Sequence, residues 1–145
     1  MKLVYLAHPL GAKTHEGILR NLHNAKLWYK WACDHYWPDH CFNMMWALNV
    51  EVYDDANAVD RDRGMQRNFH HIKRCDELWL LGPTVSPGME DEALFSRRCR
   101  QPVYDLTNEN ANPIVTPRFP PEDMMQWKAT SLTQQALFPN KPPGV

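Results

Sequence analysis

The sequence predicts an α/β domain with a Rossmann-like (flavodoxin-like) parallel sheet and helices on both faces. Two short segments, residues 2–7 (KLVYLA) and 76–82 (DELWLLG), each contain an apolar run with the length of a strand buried in a parallel sheet. Between them lie two longer segments, about 17–36 and 56–75, in which apolar residues recur at helical spacing. This alternation of strand-like and helix-like segments is typical of a parallel sheet with crossover helices.

Prolines bound the first strand and the first helix. The first strand, residues 2–7, runs into Pro9, and the helix over 17–36 ends before Pro38. The predicted inward face of this helix consists of Ile18, Leu22, Ala25, Tyr29, Ala32 and Cys33. A second strand is expected within residues 40–53, where the pattern favours no single position.

The second half of the domain contains the most recognisable strand, residues 76–82. Ser86 and Pro87 then predict the start of a third helix, about 88–99, because serine caps free backbone N–H groups and proline is favoured in a first helical turn. Residues 102–106 are a candidate fourth strand. Together these elements predict a first domain over residues 1–106.

The remaining residues, 107–145, are predicted to be a C-terminal extension packed on the same domain. The extension begins with a segment rich in proline and asparagine, and one helix is expected over about 121–137. We expect the last residues to fray.

Charge and composition exclude several classes of partner. The chain has 16 basic and 17 acidic residues and a formal net charge of −1, so neither nucleic acid nor an anionic membrane is expected as a partner. No segment has the apolar length of a membrane span, and no signal peptide is expected. The four cysteines lack CxxC spacing, which is typical of reduced thiols. We therefore expect a cytoplasmic protein without a metal or a cofactor.

The loop after residues 76–82 is the most informative candidate site, because ligands of parallel α/β sheets bind beyond the carboxyl ends of the strands. Ser86 and Gly88 open a helix there, and such an N-terminus attracts anionic or hydroxyl-rich groups. Glu92 falls on the face of this helix that should pack toward the sheet. A partly buried carboxylate can act as a nucleophile or a base. The alternative is that Glu92 points to solvent and pairs with an arginine.

Four segments also resemble a known family. They are VYLAHPLG at the first strand, CDELWLLG at the later strand, SPGMEDEA at the following turn and PVYDL after the third helix. With them, residues 1–106 resemble the nucleoside 2-deoxyribosyltransferase superfamily, which includes the 2′-deoxynucleoside 5′-phosphate N-hydrolases. The resemblance implies cleavage or transfer at the N-glycosidic bond of a nucleoside or nucleoside 5′-phosphate.

The resemblance also implies roles for individual residues. A glutamate at the position of Glu92 attacks the anomeric carbon of the deoxyribose, expels the base and forms a glycosyl-enzyme ester, as in a retaining glycosidase. Tyr5 would line the site, and the turn from Ser86 to Gly88 would contact the sugar or its 5′ substituent. His8, in the loop after the first strand, is a further candidate for substrate binding.

The chain departs from the family where a second acid is expected, about two dozen residues before the glutamate. Asn68 occupies that position, where we expect it to contact the substrate. Asp62 is the predicted substitute, because it falls on the predicted inward face of its helix and near the helix start. Asp60 is the second choice. The alternative is that both acids only favour the helix dipole and pair with neighbouring arginines.

Two further features have competing interpretations. Arg20, with Lys13, flanks the first loop and could hold a phosphate, although a solvated charge is the alternative. Trp28 and Trp31 could stack a nucleobase or form the contact of a homodimer or higher homo-oligomer, and core packing is the alternative. For the whole protein, the alternative to an enzyme is a nucleotide-binding protein of the same fold without turnover.

Overall fold

The computed structural model describes residues 1–54 and 56–107. Within them the chain forms four strands and four helices, which alternate as the sequence predicts except where two helices are consecutive. The elements are β1 (Lys2–Ala7), α1 (His15–Tyr36), β2 (His40–Asn43), α2 (Met45–Val52), α3 (Ala58–Lys73), β3 (Glu77–Leu80), α4 (Pro87–Arg98) and β4 (Val103–Asp105). The predicted helix at about 121–137 and the rest of the extension lie outside the described residues.

The four described strands form one parallel sheet in the order β2-β1-β3-β4. The predicted fold class, a Rossmann-like (flavodoxin-like) α/β sheet, is therefore confirmed. In the register, Tyr5 of β1 stands between Asn43 of β2 and Leu78 of β3. The chain moves outward from β1 in one direction to β2 and in the other to β3 and β4. The ends of β1 and β3 thus flank the point where strand order reverses, which is where such sheets bind ligands.

Residues 40–53, which the sequence left unassigned, contain β2 and α2. The strand has four residues, and α2 follows almost at once with eight. Helix α2 (MWALNVEV) has one charged residue, and its apolar residues show no one-sided pattern. Trp46 and Ala47 are buried. Because an apolar run without periodicity does not separate a strand from a buried helix, the boundary could not be predicted.

The tryptophans of α1 lie in the core. Trp28 is 1% exposed and Trp31 4%, and both pack with Tyr36, Phe42 and Trp79 against one face of the sheet. The prediction that they form a subunit contact is wrong, and the alternative, core packing, is confirmed. Most of the predicted inward face of α1 is confirmed, since Leu22, Ala25 and Ala32 are buried. Tyr29 is the exception: it is exposed, and its neighbour Trp28 is buried instead. The predicted homodimer thus gains no support from these two side chains.

Helices α3 and α4 cover the opposite face of the sheet, and a single glutamine fastens their ends. Gln101 Nε2 donates to the carbonyl oxygens of Ile72 (2.9 Å) and Cys75 (2.7 Å), while its Oε1 accepts from Ser96 Oγ (2.9 Å). This arrangement fixes α4 against the sheet and so positions its N-terminus at the ligand edge. No helix of the described residues is both long and apolar enough to cross a membrane.

Candidate functional site

A cleft opens at the carboxyl ends of β1 and β3. Its walls come from the loop after β1, from α2, from the first three turns of α3 and from the start of α4. Its cavity volume of about 80 Å³ is several times what one buried water needs. Of the predicted substrate-binding residues, the cleft brings together His8, Asn68, Ser86 and Gly88.

Glu92 lies at the base of this cleft. It is 7% exposed, so the alternative in which it points to solvent does not apply. The Tyr5 hydroxyl, from the neighbouring strand β1, donates a hydrogen bond to Glu92 Oε2. Ser86 caps α4 by accepting the backbone N–H of Met89 at 3.3 Å. The cap and the β1 hydroxyl together fix where the carboxyl group stands.

The protonation of Glu92 is set mainly by its burial. Burial raises the pKa of Glu92 from 4.5 to about 7, although the hydrogen bond from Tyr5 lowers it. Asp91 raises this pKa further, and the Arg61 guanidinium lowers it. Burial and the charge of Glu92 raise the pKa of Tyr5 well above its ordinary value, so the phenol stays a donor at neutral pH. A carboxyl group that changes charge near neutral pH can serve as a nucleophile, base or acid.

His8 forms the part of the cleft wall next to the end of β1. Its ring is buried, and its Nδ1 lies 2.7 Å from the carbonyl oxygen of Pro9. Burial lowers the pKa of His8 from 6.5 to about 4, against the effect of that hydrogen bond. The imidazole is therefore neutral at the pH of most cells.

The two candidate acids of α3 have different positions. Asp60 is half-buried and lines the cleft, and its Oδ2 accepts the backbone N–H of Asp54 at 3.3 Å. Asp62 is exposed, does not line the cleft, and accepts a hydrogen bond from Gln66 Nε2 at 2.9 Å. The predicted inward position of Asp62 is wrong. Phe69 and Ile72 of the same predicted face are partly or fully buried, but Asp62, earlier on the helix, is exposed.

The remaining predicted residues lie around the cleft rather than in its wall. Tyr5 does not line the cleft, and its hydroxyl contacts the site through the hydrogen bond to Glu92. Arg20 is exposed on α1 and is absent from the cleft lining.

Arginines of α3 and aromatic residues of α2 belong to the cleft but were missing from the predictions. Arg61 and Arg67 line it, and the Arg67 guanidinium lies 4.7 Å from the centre of the Tyr53 ring. Trp46 also lines the cleft. The aromatic residues could not be found while the position of α2 was unknown. Arg61 was treated only as a partner for neighbouring acids, and Arg67 was assigned no role.

One family model matches most of the chain. The family model described as "Domain of unknown function (DUF7768)" matches residues 2–106, and the chain therefore belongs to this family. No curated protein matches the chain. Because the description of the family gives no activity, the case for a function depends on the cleft.

Proposed function

We propose that this member of the DUF7768 family cleaves or transfers the N-glycosidic bond of a nucleoside or nucleoside 5′-phosphate, with Glu92 as the nucleophile. The observation that carries the proposal is the buried Glu92 carboxyl group, oriented by the Tyr5 hydroxyl at the base of a cleft. The cleft lies at the strand-order reversal, where parallel α/β sheets bind ligands. The four motifs that resemble the deoxyribosyltransferase superfamily supply the reaction class.

The bond changes follow from the position of the carboxyl group. Tyr5 binds Oε2, which leaves Oε1 as the attacking oxygen. Oε1 forms a bond to the anomeric carbon while the carbon–nitrogen bond breaks, and the base leaves with the bonding electron pair and takes up a proton. Water or a second base then attacks the same carbon, gives its proton to the acid that protonated the departing base, and releases the Glu92 carboxylate. Two inversions give overall retention at the anomeric carbon.

The proton for the departing base requires a second acid. Asp60 is our candidate, because it lines the cleft, whereas Asp62 is exposed outside it. General acid assistance contributes about 10²–10⁴-fold to such reactions. Asp60→Asn should therefore slow base release by that factor. Asp62→Asn, the same change two residues further along the same helix, is the matched control and should leave the rate within about twofold.

The test is a screen of the purified chain against nucleosides and their 5′-monophosphates, with free base measured by chromatography. We expect base release from at least one of them and none from Glu92→Gln, which keeps the shape of the side chain but removes the attacking charge. Full activity in Glu92→Gln would end the covalent mechanism. An Asp62→Asn variant that loses activity while Asp60→Asn keeps it would reverse the assignment of the acid.

A second candidate function is nucleotide binding without turnover. It is favoured by Asn68, which lines the cleft at the position where the resemblance leads us to expect an acid. A carboxamide does not deliver a proton at neutral pH. In this case the wild-type chain binds a nucleotide in calorimetry but releases no base, and Asn68→Asp gains cleavage. Robust wild-type turnover would exclude this second candidate.

A further inference from the structure

Arg67 is a half-buried cation without a carboxylate partner. It lies on the third turn of α3 and lines the cleft. Within residues 1–54 and 56–107, its guanidinium forms neither a hydrogen bond nor an ion pair. Charged side chains that are partly removed from water are nearly always paired, because an unpaired buried charge is costly. The missing partner is therefore an anion that the described chain does not supply.

The outer end of the guanidinium is the part that a ligand can reach. Its Nε atom is fully buried and without a hydrogen-bond partner, whereas neither Nη atom is buried in this way. The guanidinium carbon lies over the Tyr53 ring, 4.7 Å from its centre, and Tyr53 also lines the cleft. This cation–π contact holds the group in position, but no hydrogen bond joins the two side chains. The Nη donors are thus held in the cleft and remain unused.

The carboxyl groups of the cleft do not neutralise Arg67. In the described part of the chain they belong to Asp54, Asp60 and Glu92, and none of them forms an ion pair with its guanidinium. Arg61 is the arginine whose charge acts on Glu92. The charge of Arg67 is therefore available to an anion that enters the cleft.

We propose that Arg67 binds the 5′-phosphate of the ligand and makes this site selective for nucleoside 5′-phosphates over nucleosides. The inference rests on the proposed function in taking the ligand to be one of these two classes. A guanidinium matches a phosphate group because its parallel N–H donors meet two phosphate oxygens. A nucleoside has no negative charge at neutral pH and leaves Arg67 unpaired. Sites that lose a polar partner in this way reject the incomplete ligand strongly.

A carbonyl oxygen of the base is the other acceptor that a nucleotide offers to an arginine. Hydrogen bonds to an ionised acceptor are about twice as strong as those to a neutral one, which favours the phosphate. A base contact is the same in a nucleoside and in its 5′-phosphate, whereas a phosphate contact exists only in the second. Comparison of the two forms of one nucleoside therefore separates the two sources.

Calorimetric titration of matched pairs tests the proposal. The probes are the ribonucleosides and deoxyribonucleosides of the common bases, each paired with its 5′-monophosphate, together with ribose 5-phosphate. The parent protein is the full chain with Glu92→Gln, so that no probe is consumed. For at least one pair, the monophosphate should bind about 10- to 100-fold more tightly than the nucleoside. Equal affinity within every pair would overturn the inference without any change at Arg67.

Substitutions show whether this preference depends on Arg67. Arg67→Met keeps the apolar length but removes the charge, and Arg67→Gln is a second uncharged variant in case the first does not fold. In either, the two members of a pair should bind within about twofold of each other. Arg67→Lys keeps a point charge and should retain part of the preference. Arg63→Met, at an exposed position of α3 outside the cleft lining, is the matched control and should retain all of it.

The outcomes distinguish a failure of this inference from a failure of the proposed function. A preference that survives in both uncharged variants would place the phosphate elsewhere, such as at the turn from Ser86 to Gly88, and would overturn the inference. An equal loss of affinity for both members of a pair would assign Arg67 to the base and would also overturn it. Base release by the wild type would still support the proposed function in both cases.

The converse result is also informative. If the preference depends on Arg67 but the wild-type chain releases no base from any probe, the inference holds for a nucleotide-binding protein and the proposed cleavage fails. If no probe binds and none is cleaved, both fail.

Discussion

Replacement of Glu92 by glutamine should stabilise the protein at alkaline pH while it abolishes activity. The folded-state pKa of Glu92 is about 7, well above its ordinary value of 4.5, because the carboxyl group is buried. Between these two pH values the folded chain holds a proton that the unfolded chain has lost. Stability therefore falls as the pH rises through this window, and the full cost is present above pH 7. Glutamine does not titrate and avoids that cost.

The size of the effect follows from the pKa difference. One pKa unit corresponds to 1.36 kcal/mol, so a rise from 4.5 to about 7 corresponds to about 3 kcal/mol of unfolding free energy. Glutamine can still accept the hydrogen bond from Tyr5 through its amide oxygen. We expect Glu92→Gln to exceed the wild type by up to about 3 kcal/mol at pH 8, and by almost nothing at pH 4.5.

Urea unfolding of both proteins at several pH values between 4.5 and 8 measures this difference. Glu90→Gln is the matched control, because it makes the same change at an exposed position of the same helix and should have little effect on stability at either end of the range. A Glu92→Gln variant no more stable than the wild type at pH 8 would refute the reasoning. The carboxyl group would then be solvated in the folded chain, and burial would not raise its pKa toward neutral pH.

Two further predictions concern the support of the site. In Tyr5→Phe, loss of a hydrogen bond to the charged carboxylate should disfavour ionisation of Glu92 about 10- to 100-fold. The pH profile of base release should move to higher pH, and the rate at pH 7 should fall about 5- to 50-fold; an unmoved profile would contradict the role of the phenol. Gly82→Ala should destabilise by about 1–3 kcal/mol, because Gly82 has φ +97° and an added Cβ would meet the His8 ring. The same change at Gly64, inside α3 with open space around it, should stabilise the protein by about 1 kcal/mol. If urea unfolding shows a change in unfolding free energy of the same sign for both variants, this explanation is wrong.

The features that could be predicted from the sequence are those set by local pattern. The strands at residues 2–7 and 76–82 were found because a strand buried on both faces has an apolar run bounded by turn residues. The turn from Ser86 into α4 was found because a cap and a first-turn proline are adjacent in the chain. The burial of Glu92 followed from its spacing on that helix.

The features that could not be predicted depend on where helices end and how they are rotated. Helical spacing placed Asp62 on one face with Phe69 and Ile72. A face is buried only where another element covers it, and along this face Ile72 is buried whereas Asp62 is exposed. Trp28 was assigned to a surface for a related reason, since a shift of one residue turns a side chain by about 100° around the helix. The neutral tautomer of His8 was also beyond prediction, because it depends on a contact with the Pro9 carbonyl and on burial.

The position of Trp46 has a practical consequence for work on this chain. Its indole is buried, its Nε1 donates to the Leu6 carbonyl at 2.8 Å, and the residue lines the cleft. Indole fluorescence responds to the polarity of its surroundings and to stacked rings nearby. Trp46 is therefore an intrinsic optical reporter of the cleft, whereas Trp37, 71% exposed, contributes a signal from bulk solvent. Replacing Trp37 with phenylalanine would lower that background, and Trp46→Phe would show which part of a ligand-induced change in emission comes from the cleft rather than from the core tryptophans Trp28, Trp31 and Trp79.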